Sequence, residues 1–304
     1  MKFKSSIIIF SFLCFIPPPV VSLSLEVTII KSRDIEPFRV VSDGFRMVIE
    51  ASIIEYNMEG DLKKGYEITK KIKADRPDLI LAIGTKAALV AHQDIKNVPI
   101  VFVMVSRPEV YGLIGDNITG VSLNIPSFNQ LKVMKFALPG IKNVGIIYNP
   151  KISGKIVAIA EEEASRLELE LITEEVSSVK DIPKTLRRLK GSIDALWMVM
   201  DETIVDSKAL KHIQLFTIRN KIPFMGLSVR FVQDGALLAL SSDYQDMGRQ
   251  AGEMANRIIS GESTIDIPIS SPEKLILVLN LKTAKIINVN FPPEVISMAA
   301  RIYE

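Results

Sequence analysis

Cysteine is almost missing: Cys14 is the single one in 304 residues. One thiol cannot close an internal disulfide or build a cysteine-based metal centre. Histidine is nearly as scarce, and His92 and His212 supply too little for a histidine-ligated zinc or a Ser-His-Asp triad. Both fall within helical pattern, and nothing nominates either as a base. An excess of one charge is lacking too. With 37 basic against 35 acidic residues and a formal charge of +2, the chain has no concentrated positive surface to neutralise many phosphates, so no nucleic-acid partner is expected. Familiar catalytic signatures are absent as well. Gly154-Lys155 lacks the upstream glycine and the following Ser/Thr of a P-loop, and there is no GxGxxG and no GxSxG elbow. Asp201, Glu202 and Asp206 form an acidic group, but without the alternating oxygen ligands and glycine of a calcium loop they read as a solvated helix start. No solenoid repeat, low-complexity tract or Gly/Ser linker interrupts the chain.

Apolar material is plentiful. Hydrophobic residues make up 48% and charged residues 24%, which suits sizeable cores, and at roughly 150 residues per domain the length predicts two of them. Residues 1–24 read differently from the rest. Lys2 and Lys4 precede the apolar run Ile7–Ile16, too short to cross about 30 Å of hydrocarbon as a helix, and Pro17-Pro18-Pro19 stops it. The pattern is that of a secretory signal peptide, cleaved after Ser22 or Ser24. A lipid anchor on Cys14 is disfavoured by the bulky Phe12 and Leu13 before it. Cleavage leaves 35 residues of each charge and no cysteine, and no later segment is long and uncharged enough to span a membrane.

From Val27 onward, strand-like and helix-like segments alternate. Short β-branched runs at 27–30 and 51–56, the continuous apolar runs at 78–84 and 98–105, and the segment at 120–123 read as strands, with helices near 36–49, 61–73 and 85–92. The rhythm restarts with a helix at 127–138 and strands at 143–148, 168–174, 194–200, 222–226, 236–241 and 275–281. Helices near 153–167, 182–189, 207–220 and 247–259 separate most of them. Two βα arrays predict an α/β protein of two doubly wound lobes with parallel sheets covered on both faces.

In such sheets ligands bind beyond the carboxyl ends of the strands, where helix N-termini offer unpaired N–H groups. The polar residues at those ends are Ser32 and Arg33, Gly84 and Thr85, Ser106 and Arg107, Tyr148 and Asn149, Asp201 and Glu202, Ser228 and Arg230, and Asp243. Each also has a structural reading as a cap or turn former.

Several ordered motifs then carry a resemblance: PDLILAIGTKAA (77–88), VPIVFVMVSRP (98–108), NITGV (117–121), LPGIKNVGIIYNP (138–150), DYQDMGRQA (243–251), Ile267-Pro268 and LNLKTA (279–284). From about Val27 to the C-terminus the chain resembles the substrate-binding proteins of ABC transporters that include the tryptophan- and tyrosine-binding proteins. The resemblance implies a type I periplasmic-binding-protein fold of two Rossmann-like lobes, with 25–123 plus 240–267 in the first and 124–239 plus 268–304 in the second. It implies ligand contacts from Thr85, Ser106, Asn149, Asp201 and Asp243, an amino acid or related compound as ligand, and no catalytic residue, metal or cofactor. It also implies a monomer that works outside the cytoplasm with a permease in the inner membrane. Helix N-termini and hydroxyls suit a carboxylate, and an acidic side chain suits an ammonium. This sequence departs from the family at Glu36-Pro37, in place of His-Pro, at a shortened turn over 49–52, and at Ser106-Arg107-Pro108, in place of Ser-Asp-Pro. Arg107 either favours a more acidic ligand or stands at the cleft rim, the rim being the expected place. Two other readings stay open. One is a binding protein that signals to a membrane sensor; the other is a secreted hydrolase or isomerase using Asp201 or Asp243 as base, for which no partner group is found.

Overall fold

The computed structural model describes residues 25–304, and the signal peptide expected over 1–24 lies outside the described residues. The first sheet is built from β1 (Glu26–Lys31), β2 (Ser52–Asn57), β3 (Leu79–Ile83), β4 (Ile100–Val105) and β5 (Ile118–Ser122), all parallel, in the order β2-β1-β3-β4-β5. Between these strands run α1 (Glu36–Arg46), α2 (Leu62–Asp75) and α3 (Thr85–Asp94). β3 and β4 are buried at every position, which explains why their sequences are continuous apolar runs and not alternating ones.

The second half repeats the plan. Its elements are α4 (Ser127–Ala137), β6 (Asn143–Tyr148), α5 (Pro150–Arg166), β7 (Glu170–Glu175), α6 (Ile182–Leu189), β8 (Ala195–Trp197), α7 (Ser207–Asn220), β9 (Phe224–Gly226), α8 (Val229–Gln233) and β10 (Leu238–Ser242). The strand order β7-β6-β8-β9-β10 matches that of the first sheet, strand for strand. Each sheet therefore has a switch point, between β1 and β3 in one and between β6 and β8 in the other, where adjacent connections leave to opposite sides and open a crevice.

After β10 the chain crosses back. The helix α9 (Tyr244–Ile259) lies on the first sheet, where Met247, Ala251, Met254 and Ala255 join the core of Val27, Phe45, Leu81 and Val101. The return segment runs beside β5, with Ser122 N–H donating to Ser270 O (2.8 Å) and Thr119 Oγ1 to Ile267 O (2.7 Å). The chain then re-enters the second sheet as β11 (Leu275–Asn280), followed by α10 (Leu281–Ile287), α11 (Pro293–Met298) and β12 (Ala299–Tyr303). β11 pairs antiparallel with β10, a departure from the all-parallel expectation. The reason is topological: β10 ends at the edge facing the first sheet, and a chain that visits the first sheet returns to that same edge and has to run away from it. The expected lobe boundary at 240 falls inside β10.

Other differences are local. The strand expected over 194–200 is confined to Ala195–Trp197; Met198 N–H still reaches Met225 O (3.1 Å), and the chain then turns toward Asp201. Helix α5 begins at Pro150, not 153, because Asn149 caps it by accepting from Lys151 N–H (3.1 Å) and Pro150 supplies a preset first turn. The short elements after 281 carry too few turns of pattern to be read from sequence.

Contact between α1 and α9 depends on glycine. A Cβ on Gly44 would lie 2.0 Å from Gln245 O, and one on Gly248 would lie 2.1 Å from Val41 O. Gly248→Ala forces the two helices apart and is expected to cost about 1–3 kcal/mol, a fall in Tm of several degrees. Gly154→Ala in α5, where a Cβ meets nothing closer than 3.9 Å, is expected to raise Tm slightly by removing backbone freedom from the unfolded chain. Thermal melts of both variants followed by circular dichroism check this, and a Gly248→Ala protein as stable as wild type would contradict the packing.

Candidate functional site

The carboxyl ends of the two sheets face each other across a cleft. Its main cavity, about 310 Å³, is bounded on one side by Ser106, Arg107, Leu123 and Asn124, beyond β4 and β5, and on the other by α4, α5 and the ends of β8 and β9. Ile125, Ile156, Ile159, Trp197, Val199 and Leu227 supply apolar walls. Trp197 is buried, and its indole Nε1–H donates to Gln130 Oε1 (3.1 Å), while Gln130 Nε2–H donates to Ile125 O (2.9 Å). The polar ends of both side chains are thus occupied by protein partners.

Backbone conformation is unusual where the chain enters this cavity. Met104 (φ 63°) and Arg107 (φ 48°) both adopt the left-handed region, and the register between β4 and β5 shifts between Val103 and Val105. Two such non-glycine residues within four positions are costly and persist only where surrounding contacts hold them. Here they deliver Arg107 into the cleft at 8% exposure, so it stands in the interior and not at the rim. Its Nη1–H donates to Ile152 O (3.0 Å) and its Nη2–H to Glu202 Oε1 (3.0 Å), both on the second-sheet side. Arg107 therefore bridges the cleft. Its Nε–H is buried and has no hydrogen-bond partner among the described residues.

Of the five expected ligand contacts, Ser106 lines this cavity; Thr85, Asn149, Asp201 and Asp243 do not. Thr85 opens α3 at the first switch point, after Gly84, whose φ of 87° and crowding by Phe38 and Ser32 exclude a side chain. Asn149 and Asp201 meet at the second switch point. Asp201 is 0% exposed, and its carboxylate accepts from Asn149 N–H (2.8 Å), Ser153 Oγ–H (2.8 Å) and Thr203 N–H (2.9 Å). Asn149 Nδ2–H also donates to Thr203 Oγ1 (3.1 Å). This carboxylate fastens the N-terminus of α5 to the 201–203 turn, where the helix dipole also favours a negative charge.

Asp243 sits at a crossing between the sheets. It caps α9 by accepting from Gln245 N–H (3.1 Å) and Asp246 N–H (3.2 Å), and pairs with Lys274 Nζ (2.8 Å) on the returning crossing. Burial would raise its pKa, but the Lys274 ammonium and the two helix N–H groups outweigh that and hold it below the usual carboxylate range. The neighbouring Arg249 binds Asp246, Glu253 and Glu273, which pins α9 to the same returning segment.

Of the other cations near strand ends, Arg33 is exposed, and two are committed. Lys31 is buried between Asp34 (2.9 Å) and Glu55 (2.6 Å), and Arg230 pairs with Asp234 (2.8 Å) on an exposed helix. Sequence reasoning missed Trp197 and Gln130 as cavity residues. A lone tryptophan at the carboxyl end of a strand was the available signal. Among the described residues no group of three or more His, Cys, Asp or Glu is arranged to hold a metal ion.

Comparison with known proteins fits this geometry. The family model described as ABC transporter substrate binding protein matches residues 46–303. The chain belongs to that family. It is a family of substrate-binding proteins and not of enzymes. A tyrosine-binding protein of Clostridioides difficile is 30% identical over 237 residues, which cover 75% of this chain and 68% of the relative. Among solved structures, the ligand-free, open form of a Clostridium difficile substrate-binding protein with adhesive properties is 24% identical at a TM-score of 0.79. A Streptococcus pneumoniae domain in complex with L-Trp is 23% identical at a TM-score of 0.67. Both alignments cover 92% of this chain and 99% of the other. The two α/β sheets facing across a cleft are those of a type I periplasmic binding protein.

Two outcomes follow from the carboxylates. Asp201→Ala removes the acceptor of Asn149 N–H and Thr203 N–H, at about 1–3 kcal/mol each, and is expected to lower Tm by several degrees with no ligand present. An unchanged melt would contradict the fastening role. Asp243→Asn keeps the helix cap but removes the charge. Because the folded pKa of Asp243 lies below its unfolded value, its ionised form stabilises the protein above the ordinary carboxylate range, and that stabilisation is lost as pH falls through the folded value. The Tm gap between wild type and Asp243→Asn should be open at neutral pH and narrow toward about pH 3, as read from melts across that range.

Proposed function

We propose that this protein captures a small organic solute, an amino acid or related compound, between its two sheets outside the cytoplasm and presents it to an inner-membrane ABC permease. The observation that carries the reading is the cleft cavity, roofed by β4 and β5 and floored by α4, α5 and β8, in a chain of this family. Its volume is at the lower end of those that hold small molecules, and apolar walls interspersed with polar side chains such as Ser106, Arg107, Glu109 and Glu163 suit recognition of a compact solute with polar groups of its own. The tyrosine-binding relative and the neighbour solved with L-Trp support an aromatic amino acid as the first candidate. Ser106 touches the solute directly, and Thr85 meets it on closure. Asn149, Asp201 and Asp243 act by holding the two walls and the crossing. The leader at 1–24 exports the chain and is removed.

Binding drives closure only through the ligand's preference for the closed form. Small-angle scattering of the mature chain with L-tyrosine or L-tryptophan at about a hundredfold over Kd should show a smaller radius of gyration. A rise in Tm of about 5 °C or more should accompany it. Unchanged scattering and melting across a broad library of small solutes would refute the reading.

A further inference from the structure

The one guanidinium in the cavity wall is only partly used. Arg107 is more than nine-tenths buried, its Nη1 serves the Ile152 carbonyl and its Nη2 serves Glu202, but the Nε–H has no partner. Nε–H and the adjacent Nη2–H form the side edge of the guanidinium, one of the two edges on which a carboxylate sits with both oxygens engaged. A buried donor left without an acceptor is costly; Nε itself is shielded from the cavity that Arg107 lines, and a turn of the guanidinium away from Glu202 is what brings Nε–H to an acceptor there. The present partner of Nη2 is easily displaced: Glu202 is 64% exposed and regains water when it lets go. Among the described residues no other cation lines this cavity, so Arg107 alone offsets the two carboxylates that also line it, Glu109 and the Ser127-bonded Glu163; Lys31 and Arg230 are engaged elsewhere.

We infer that Arg107 anchors the acid group of the ligand, so that the solute is a carboxylate with an apolar body, and that Glu202 is a placeholder that competes for the same guanidinium edge before the ligand arrives. The apolar body packs against Trp197, Ile156 and Ile159 while the carboxylate takes Nε–H and shares or takes over Nη2–H. Because Arg107 already spans from the first sheet to Ile152 and Glu202 of the second, the same group that holds the ligand also holds the two walls near each other. This inference rests on solute binding in the cleft, as proposed above, and adds the chemical class and the residue that selects it.

The test is calorimetric titration of the full mature chain with L-tyrosine, L-tryptophan and 4-hydroxyphenylacetate, each beside its own carboxamide. Wild type should bind at least one acid about tenfold or more tighter than its amide. Arg107→Gln should erase that preference, and Arg107→Lys, which keeps the charge but not the planar edge, should restore only part of it. Glu202→Gln lies on the exposed side, leaves Arg107 in place, and should tighten acid binding with little change for the amide. A wild type that binds acid and amide alike, or an Arg107→Gln protein that is folded by circular dichroism and keeps the acid preference, overturns the anchor. So does a Glu202→Gln protein whose acid affinity does not rise. If neutral solutes bind with closure while no acid does, the anchor is wrong and the solute-binding reading stands; if no solute of any class binds, both fall.

Discussion

The architecture hangs on one helix packed away from its own sheet. Helix α9 follows a strand of the second sheet but buries its apolar face on the first, against α1, at a contact so close that Gly44 and Gly248 admit no Cβ. Chain continuity then requires three crossings at one edge of the molecule, and that edge becomes the hinge side of the cleft. The antiparallel entry of β11 is a consequence of the same exchange, and so is the ion pair of Asp243 with Lys274 that clips outgoing and returning crossings together. Few crossings and no loose linker tie the two sheets together at that edge only, the connectivity from which hinged domain closure is built.

The cleft also shows how polar residues at strand ends divide their work. A parallel sheet delivers many helix N-termini to one edge, and each has N–H groups that need acceptors. Asn149 and Asp243 meet that need as caps, Ser32 Oγ accepts from Ala87 N–H (2.9 Å) in α3, and Asp201 fastens the α5 N-terminus from across the switch point. In this arrangement their oxygens accept hydrogen bonds from the walls they shape. The cavity itself is lined by the Ser106 side chain, the unused edge of Arg107, the Glu109 and Glu163 carboxylates and apolar walls around Trp197. A buried donor such as Arg107 Nε–H favours selectivity, because an ill-matched solute leaves it unpaired.

Much of this was legible in the residue order. Alternating apolar runs and amphipathic segments predicted two doubly wound α/β arrays, because a strand buried on both faces has to be apolar throughout and its covering helix on one side only. The ordered motifs from Pro77 to Ala284 pointed to the family, and local caps such as Asp243, which accepts from Gln245 N–H (3.1 Å), were readable because a cap acts over two or three residues. Tertiary contact alone decided the rest. That Asp201 is spent on three donors depends on α5 and the 201–203 turn meeting across about fifty residues of chain. That Arg107 is interior and bridges to Ile152 and Glu202, when its motif suggested a rim position, depends on two left-handed residues and on the opposite wall. The direction of β11 depends on where α9 docks. Sequence fixes what each segment prefers locally, through periodicity and capping; which polar group stays free for a ligand is set by long-range neighbours, whose hydrogen bonds leave no mark in the order of the residues.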